Sequence, residues 1–481
     1  MKGLLGKKVL PVFALVAVTV FAAVFACTTS SEPENFDVRE HLSTATRYEH
    51  GIVSTKQLSN ESVEPPPSCL PIHINLVARH GTRAPTKKRI KQINGFAERI
   101  REWGNSSLLA PRWMKDWKSP WDGRIVGGEV LPKGEEEMFE LGQRLRTRYP
   151  EVFKEPYHPD LYMISATQVP RSAASAVAFG MGLFAGEGTL GPGYHRAFSV
   201  ISDSRTHDTH LRFYESCRAY QESKANAMPV VAAIQEDFHI HIASSLKERY
   251  LFNVTKEDIP TLWFLCKQEA AALDIVDRSC SLFTKEDVEM LEWADDVEVH
   301  KLKGYGESIN YRMGIPLLTN VLNSMERVIA ASKDGHPWNA MEKGHLRFAH
   351  AETVIPFTCL LGLFLDEGDL QKILMEAPLE PPPPPPKPRL WRGSAVAPYG
   401  ANSMVVLHKC SSLDKTGSDT EDDDFRVQIF HNEVPVALPG CNGTHFCPFK
   451  VFKEQVILPH LKYSYDSLCS LQKSEEKHDE L

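Results

Sequence analysis

Residues 79–86 read Arg79-His80-Gly81-Thr82-Arg83-Ala84-Pro85-Thr86. They follow directly on Ile72 to Ala78, a mostly apolar run with the length and composition of a buried parallel strand. Pro85 ends the extended stretch and prepares a turn, so the octet delivers a histidine between arginines at the end of a strand. Ligands of open α/β sheets bind at the carboxyl ends of strands. Lys87, Lys88, Arg89 and Lys91 come next, and six basic residues fall between 79 and 97 without one acidic residue.

These residue types suit phosphate chemistry. A neutral imidazole such as His80 can attack phosphorus and carry the phosphoryl group covalently, dividing one difficult displacement into two easier ones. The planar forks of Arg79 and Arg83 hold two phosphate oxygens at once and keep their charge at any working pH. Gly81 lets the backbone approach a ligand closely. The bare tripeptide Arg-His-Gly would read as a surface loop; eight residues in this order read as a site. The formal net charge of −8 is no obstacle, because screening confines long-range fields to about 8 Å at physiological ionic strength and the basic cluster acts at contact distance. Nucleic acid is disfavoured by the acidic balance and by the lack of aromatic residues interleaved with a basic stripe.

A second element lies far along the chain, His350-Ala351-Glu352 after the strand-like Leu346-Arg347-Phe348-Ala349. Together with the octet it resembles the histidine acid phosphatase family of the phosphoglycerate-mutase-like superfamily. Most members carry His-Asp here, and the His-Ala-Glu form is similar to the inositol polyphosphate phosphatase branch. The resemblance implies a phosphomonoesterase acting on phytate and lower inositol phosphates through a phosphohistidine, with no metal or other cofactor. His80 is then the nucleophile, Arg79, Arg83, Arg171 and His350 hold the transferring group, and Glu352 protonates the leaving alcohol. An alkoxide leaves poorly, so such an acid is needed on chemical grounds. Arg171 stands before an Ala-rich helix start, where anions are already favoured. Thr86 and Lys87 would hold a peripheral phosphate. Ala84 departs from the tyrosine frequent in the inositol polyphosphate branch, which leaves substrate preference open. The alternatives are a broad acid phosphatase, including one cleaving 2,3-bisphosphoglycerate, and a non-catalytic luminal relative that binds inositol phosphates.

Both ends of the chain speak to compartment. Lys2, Lys7 and Lys8 precede the uncharged apolar stretch Val9 to Ala26, which reads as a signal peptide over 1–26. If uncleaved, the same stretch reaches the length of a membrane anchor; acylation at Cys27 is a third option. The chain ends in His478-Asp479-Glu480-Leu481, a receptor-read address for the endoplasmic reticulum. Sequons at Asn60, Asn105, Asn253 and Asn442 suit that lumen. The ten cysteines contain no CxxC or other metal-ligand spacing and fit an oxidising compartment. By analogy with the family, Cys69 pairs with Cys410, Cys217 with Cys469, Cys266 with Cys280 and Cys441 with Cys447, leaving Cys359 as a buried thiol.

The periodicity alternates strand and helix over 66–205, with Met138, Leu141 and Leu145 at helical spacing between Glu135 and Arg148. Over 206–303 it is almost wholly helical, in pieces such as Val230 to Ile242, Ile259 to Leu273 and Lys285 to Trp293. Strand-like segments return over 304–470, at Arg347 to Ala349, Met404 to Leu407 and Val427 to Phe430, after which 471–481 forms a tail. With an N-terminal extension over 27–65, this is the organisation the resemblance implies: an α/β fold, a large phosphoglycerate-mutase-like domain with an inserted smaller all-helical cap. The prolines Pro381 to Pro386 and the acidic stretch Asp419 to Asp424 read as exposed loops or spacers. His207, His210, His239 and His241 lack a third ligand at a recognisable spacing, and the glycines between 186 and 193 lack the Lys-Ser or Lys-Thr of a phosphate-binding loop.

Overall fold

Among the described residues seven strands form one mixed sheet in the order β2-β3-β1-β4-β5-β6, with β7 paired to β5. The strands are β1 Cys69–Arg79, β2 Tyr162–Ala166, β3 Gly344–Ala349, β4 Asn402–Cys410, β5 Phe425–His431, β6 Val434–Val436 and β7 Cys447–Pro448. β1 is central, parallel to β3 on one side and antiparallel to β4 on the other. It reads as an apolar run because both of its faces are covered. Ile74, Leu76 and Ala78 join Met138, Leu141, Leu145, Phe179 and Leu183 in one core, while Val77 joins Leu317, Val321, Val354 and Phe357 in another.

The computed structural model describes residues 36–57, 63–411 and 424–471. The stretch Val9 to Ala26, Cys27, Asn60, all of the acidic run but Asp424, and the C-terminal four residues lie outside the described residues. The described residues from Val38 onward make up one compact unit. Its principal helices are α1 Tyr48–Lys56, α2 Lys87–Ser106, α3 Pro132–Arg148, α4 Pro170–Leu183, α5 Arg218–Tyr250, α6 Ile259–Leu273, α7 Lys285–Lys303, α8 Ile315–Lys333 and α9 Ala351–Leu360. The chain between β2 and β3 carries α5 to α7 in succession and no strand. The segment expected over Val230 to Ile242 is the middle of α5, which runs on for 33 residues through Pro229. α7 starts at a capping box, Thr284 with Asp287, and continues past Trp293 to Lys303, where Gly304 follows.

Register is what makes the site. Arg79 of β1 stands opposite Ala349 of β3, and His80 N donates to Ala349 O at 3.1 Å, so His80 and His350 leave the sheet side by side. At the opposite end of β1 the register pair Cys69 and Cys410 forms a disulfide. Cys217–Cys469, Cys266–Cys280 and Cys441–Cys447 are also bridged, the same pairs the family resemblance implies, and Cys359 is a buried free thiol.

The proline run is an irregular loop with Pro384 and Pro386 exposed, but it is not exposed throughout. Pro382 is buried, and its carbonyl accepts from Trp293 Nε1 of α7 at 2.8 Å. A proline has no N–H to donate but a carbonyl that remains free, so a run of them can lie as a strap and bond a helix through its acceptors alone. Arg389, three residues beyond, ties the same segment to Glu292 and Asp296 of α7.

Candidate active site

The octet leaves β1 and is clamped by the first turn of α3. Gly81 lies so near Gly134 that a Cβ on it would stand 2.2 Å from Gly134 O. Thr82 donates its N–H to Glu137 Oε2 and its hydroxyl to Glu137 Oε1, both at 2.8 Å, and the same carboxylate accepts from Tyr48 N at 3.3 Å. Gly81 N donates to Ser175 Oγ of α4 at 3.1 Å. The loop between the strand and α2 is therefore held by two helices, α3 and α4.

Hydrogen bonds assign the two imidazole tautomers. His80 Nδ1 lies 2.9 Å from Gly81 O; a carbonyl only accepts, so Nδ1 carries the proton and Nε2 keeps its lone pair. Burial, then Arg79, Arg171, His350 and Arg83, hold His80 well below the ordinary imidazole range, and it remains neutral in mildly acidic solution. His350 caps α9. Its Nδ1 receives Arg171 Nη2 at 3.2 Å and its Nε2 lies 3.0 Å from Thr167 Oγ1, which fixes Nε2 as its donor. Burial first and Arg171 second bring it down to about 3. The two rings are 5.6 Å apart between centroids.

Arg79, Arg83 and Arg171 surround this pair. Arg79 Nη1 is spent on two backbone carbonyls, Thr44 O at 2.5 Å and Ala397 O at 2.7 Å, and the guanidinium lies 4.4 Å from the Tyr399 ring centroid. Arg83 Nη1 donates to Ala84 O at 2.8 Å. In all three arginines the Nε–H is buried and bonds no acceptor among the described residues. Burial first, and their mutual repulsion, lower Arg79 to about 10 and Arg171 below its usual value. Buried donors on repelling cations are what an anion with several oxygens satisfies.

Glu352 follows at the N-terminal turn of α9. Its Oε1 accepts from Lys303 Nζ of α7 at 3.0 Å. Burial alone would raise this carboxyl, but Lys303, then His350, outweigh it and keep it far below the usual carboxylate range. Glu352, His350 and Arg171 line a cleft of about 380 Å³ together with Arg212, Tyr214 and Lys224. Thr86 and Lys87 are exposed at the start of α2 and do not line this cleft.

The sequence profile of the histidine phosphatase superfamily (branch 2) matches residues 72–432. The chain belongs to that superfamily. Multiple inositol polyphosphate phosphatase 1 of Dictyostelium discoideum is 28% identical over 460 residues, covering 85% of this chain and 70% of the relative. The human protein of the same name is 26% identical over 394 residues, covering 77% and 76%. Among solved structures, the phytase from D. castellii superposes with a TM-score of 0.70 at 16% identity over 92% of this chain and 91% of that one. The Bifidobacterium longum multiple inositol polyphosphate phosphatase in complex with inositol hexasulfate gives 0.61 at 17% identity, over 88% and 98%. As a histidine acid phosphatase the chain is an enzyme, and the α/β domain with a helical cap is the fold of these neighbours.

The octet and His-Ala-Glu, 270 residues apart by the numbering of His80 and His350, meet through strand register, and Arg171 joins them from α4. Four residues of the site region escape a reading by motif: Glu137, Arg212, Lys224 and Lys303. Ala84, the departure from the branch pattern, is fully buried. Asn105, Asn253 and Asn442 are exposed. Among the described residues no group of His, Cys, Asp or Glu is arranged to hold a metal ion.

Proposed function

We propose that the chain hydrolyses phosphomonoesters of inositol polyphosphates, phytate included, by way of a phosphohistidine on His80. One observation carries this: a neutral imidazole with its lone pair on Nε2 sits among three arginines whose buried Nε–H groups find no acceptor among the described residues. His80 Nε2 bonds to phosphorus while the ester P–O bond breaks, its electron pair passing to the leaving oxygen. Arg79, Arg83 and Arg171 stabilise the charge on the phosphoryl oxygens, and His350, its Nε2–H given to Thr167, holds the Arg171 guanidinium in place through Nδ1. Glu352 gives its proton to the leaving alkoxide. A water then adds to phosphorus, its proton goes to the Glu352 carboxylate, and the N–P electron pair returns to His80. The part of Thr86 and Lys87 in holding a peripheral phosphate rests on the family resemblance, since both are exposed and outside this cleft. The several cations of the cleft favour a polyphosphorylated ring, since each monoester carries roughly −1.5 to −2 at neutral pH.

The test is a single turnover with ³²P-labelled inositol hexakisphosphate, quenched in alkali to preserve phosphohistidine. Label is expected on the protein and absent from His80→Ala; a wild-type chain that binds substrate without acquiring label would make it a binding protein. The place of work proposed is the lumen of the endoplasmic reticulum, with exposed Asn105, Asn253 and Asn442 available for glycosylation and the C-terminal His-Asp-Glu-Leu read by its receptor. Deleting His478 to Leu481 should release the chain to the medium, and continued retention would count against that address.

A further inference from the structure

Lys303 ends α7 and its ammonium reaches across to the α/β part of the molecule, where it bonds Glu352 at 3.0 Å. Neither partner is sealed off: the side chains are 19% and 33% exposed, and Glu352 faces the cleft. The other charged or titratable groups acting on this carboxylate are His350, Arg79, Arg171 and Lys224, with the hydroxyls of Tyr214 and Tyr220. Lys303 is acted on in addition by Glu298 of its own helix. A proton donor must hold a proton, yet this ion pair keeps Glu352 as a carboxylate. Displacing the lysine when substrate binds would resolve the conflict.

We propose that Lys303 is a latch on the proton donor which a second phosphate of the substrate opens, so that only a polyphosphorylated ring both binds and arms the acid. The reading rests on Glu352 being that acid, as given under the proposed function. A phosphate not undergoing transfer brings roughly −1.5 to −2 of charge and three acceptor oxygens, against one negative charge on the carboxylate, and outcompetes it for the ammonium. Glu352, without its cation and beside new negative charge, takes a proton from solvent at the open side of the cleft. A substrate with a single phosphate occupies the arginines and leaves the latch closed. Discrimination then lies in the chemical step and not in affinity alone.

The experiment compares inositol hexakisphosphate, glycerol 2-phosphate and p-nitrophenyl phosphate. The last expels a phenolate that needs little protonation, so the kcat/KM ratio of the alkyl to the aryl monoester reads the acid and, being a ratio within one preparation, is independent of the folded fraction. Glu352→Gln should lower this ratio about 100-fold or more. Lys303→Met should raise it about tenfold, the equivalent of one pH unit of carboxyl affinity, and move the alkaline limb of the alkyl ester's kcat/KM profile to higher pH. Lys303→Arg should restore the wild-type ratio and limb. If Glu352→Gln leaves the ratio unchanged, the acid assignment falls and the latch with it. If Glu352→Gln collapses the ratio while Lys303→Met lowers both monoesters alike, or leaves ratio and limb in place, the latch alone is overturned and Lys303 is simply a cation of the cleft.

Discussion

Replacing Glu137 with alanine tests whether the octet is held from α3 or holds itself. The substitution strips three buried donors of their acceptor: Thr82 N and Thr82 Oγ1 at 2.8 Å, and Tyr48 N at 3.3 Å. A buried donor left unsatisfied costs about 1–3 kcal/mol, and the two short bonds alone represent roughly 2–6 kcal/mol. Part of this is returned, because burial already raises the Glu137 carboxyl against its charged form, and deleting it relieves that penalty. A net loss of about 3 kcal/mol follows, and at roughly 2.1 cal/mol/K per residue a chain of this size loses about 1 °C of Tm per kcal/mol. The larger effect is on rate. Thr82 lies between Gly81, whose carbonyl orients His80, and Arg83, so freeing it displaces nucleophile and clamp together, and a misplacement near 1 Å costs about 100-fold in turnover. Differential scanning calorimetry and phytate turnover at saturating substrate measure the two. Glu137→Gln keeps an oxygen for Thr82 N and should lie between variant and parent in both. A Glu137→Ala chain that melts within a degree of the parent and retains its kcat would refute the account of how the octet is positioned.

Two further outcomes come from close contact and from buried histidines. Gly81→Ala places a Cβ 2.2 Å from the Gly134 backbone oxygen, where no side-chain rotation gives relief; phosphate binding measured by calorimetry should be lost even in folded protein, while Gly95→Ala, with nothing within 4 Å of its Cβ, should stabilise α2 by about 0.5–1 kcal/mol. His408, His431 and His460 are each buried and held neutral down to about 4, burial being the first cause. Their folded values lie below the unfolded one near 6.5, so stability is complete above pH 6.5 and falls as pH drops toward about 4, by up to about 3 kcal/mol for each group. Chemical denaturation at pH 7 and pH 5 should show the loss, and His431→Gln should reduce its slope by one proton.

The parts of the site that sequence revealed are those whose chemistry is local to a strand end. Octet, His-Ala-Glu and Arg171 each follow an apolar run and precede a helix, so strand, turn and helix N-terminus could be read around them without knowing the neighbours. Their convergence depends on β1 pairing with β3, and nothing in either segment states the register that sets Arg79 against Ala349. The proline run is the loop its composition suggests, but composition could not show that Pro382 is buried, because Trp293 supplies a donor that its carbonyl accepts.

Glu137 and Lys303 show where legibility ends. Glu137 is one of three successive glutamates, and composition treats Glu135, Glu136 and Glu137 alike. Helical geometry does not: residues four apart share a face, so Glu137 falls in line with Leu141 and Leu145 on the buried stripe of α3 while its two neighbours face away. An acid on an apolar stripe needs donors to meet it, and that mismatch was a readable signal that this glutamate has a fixed task. Lys303 gave no such signal, since a lysine in the last turn of a helix is already explained by the helix dipole. Its partner lies 49 residues away on another helix, and only the folded chain turns an ordinary helix-terminal lysine into the group that controls the charge of Glu352.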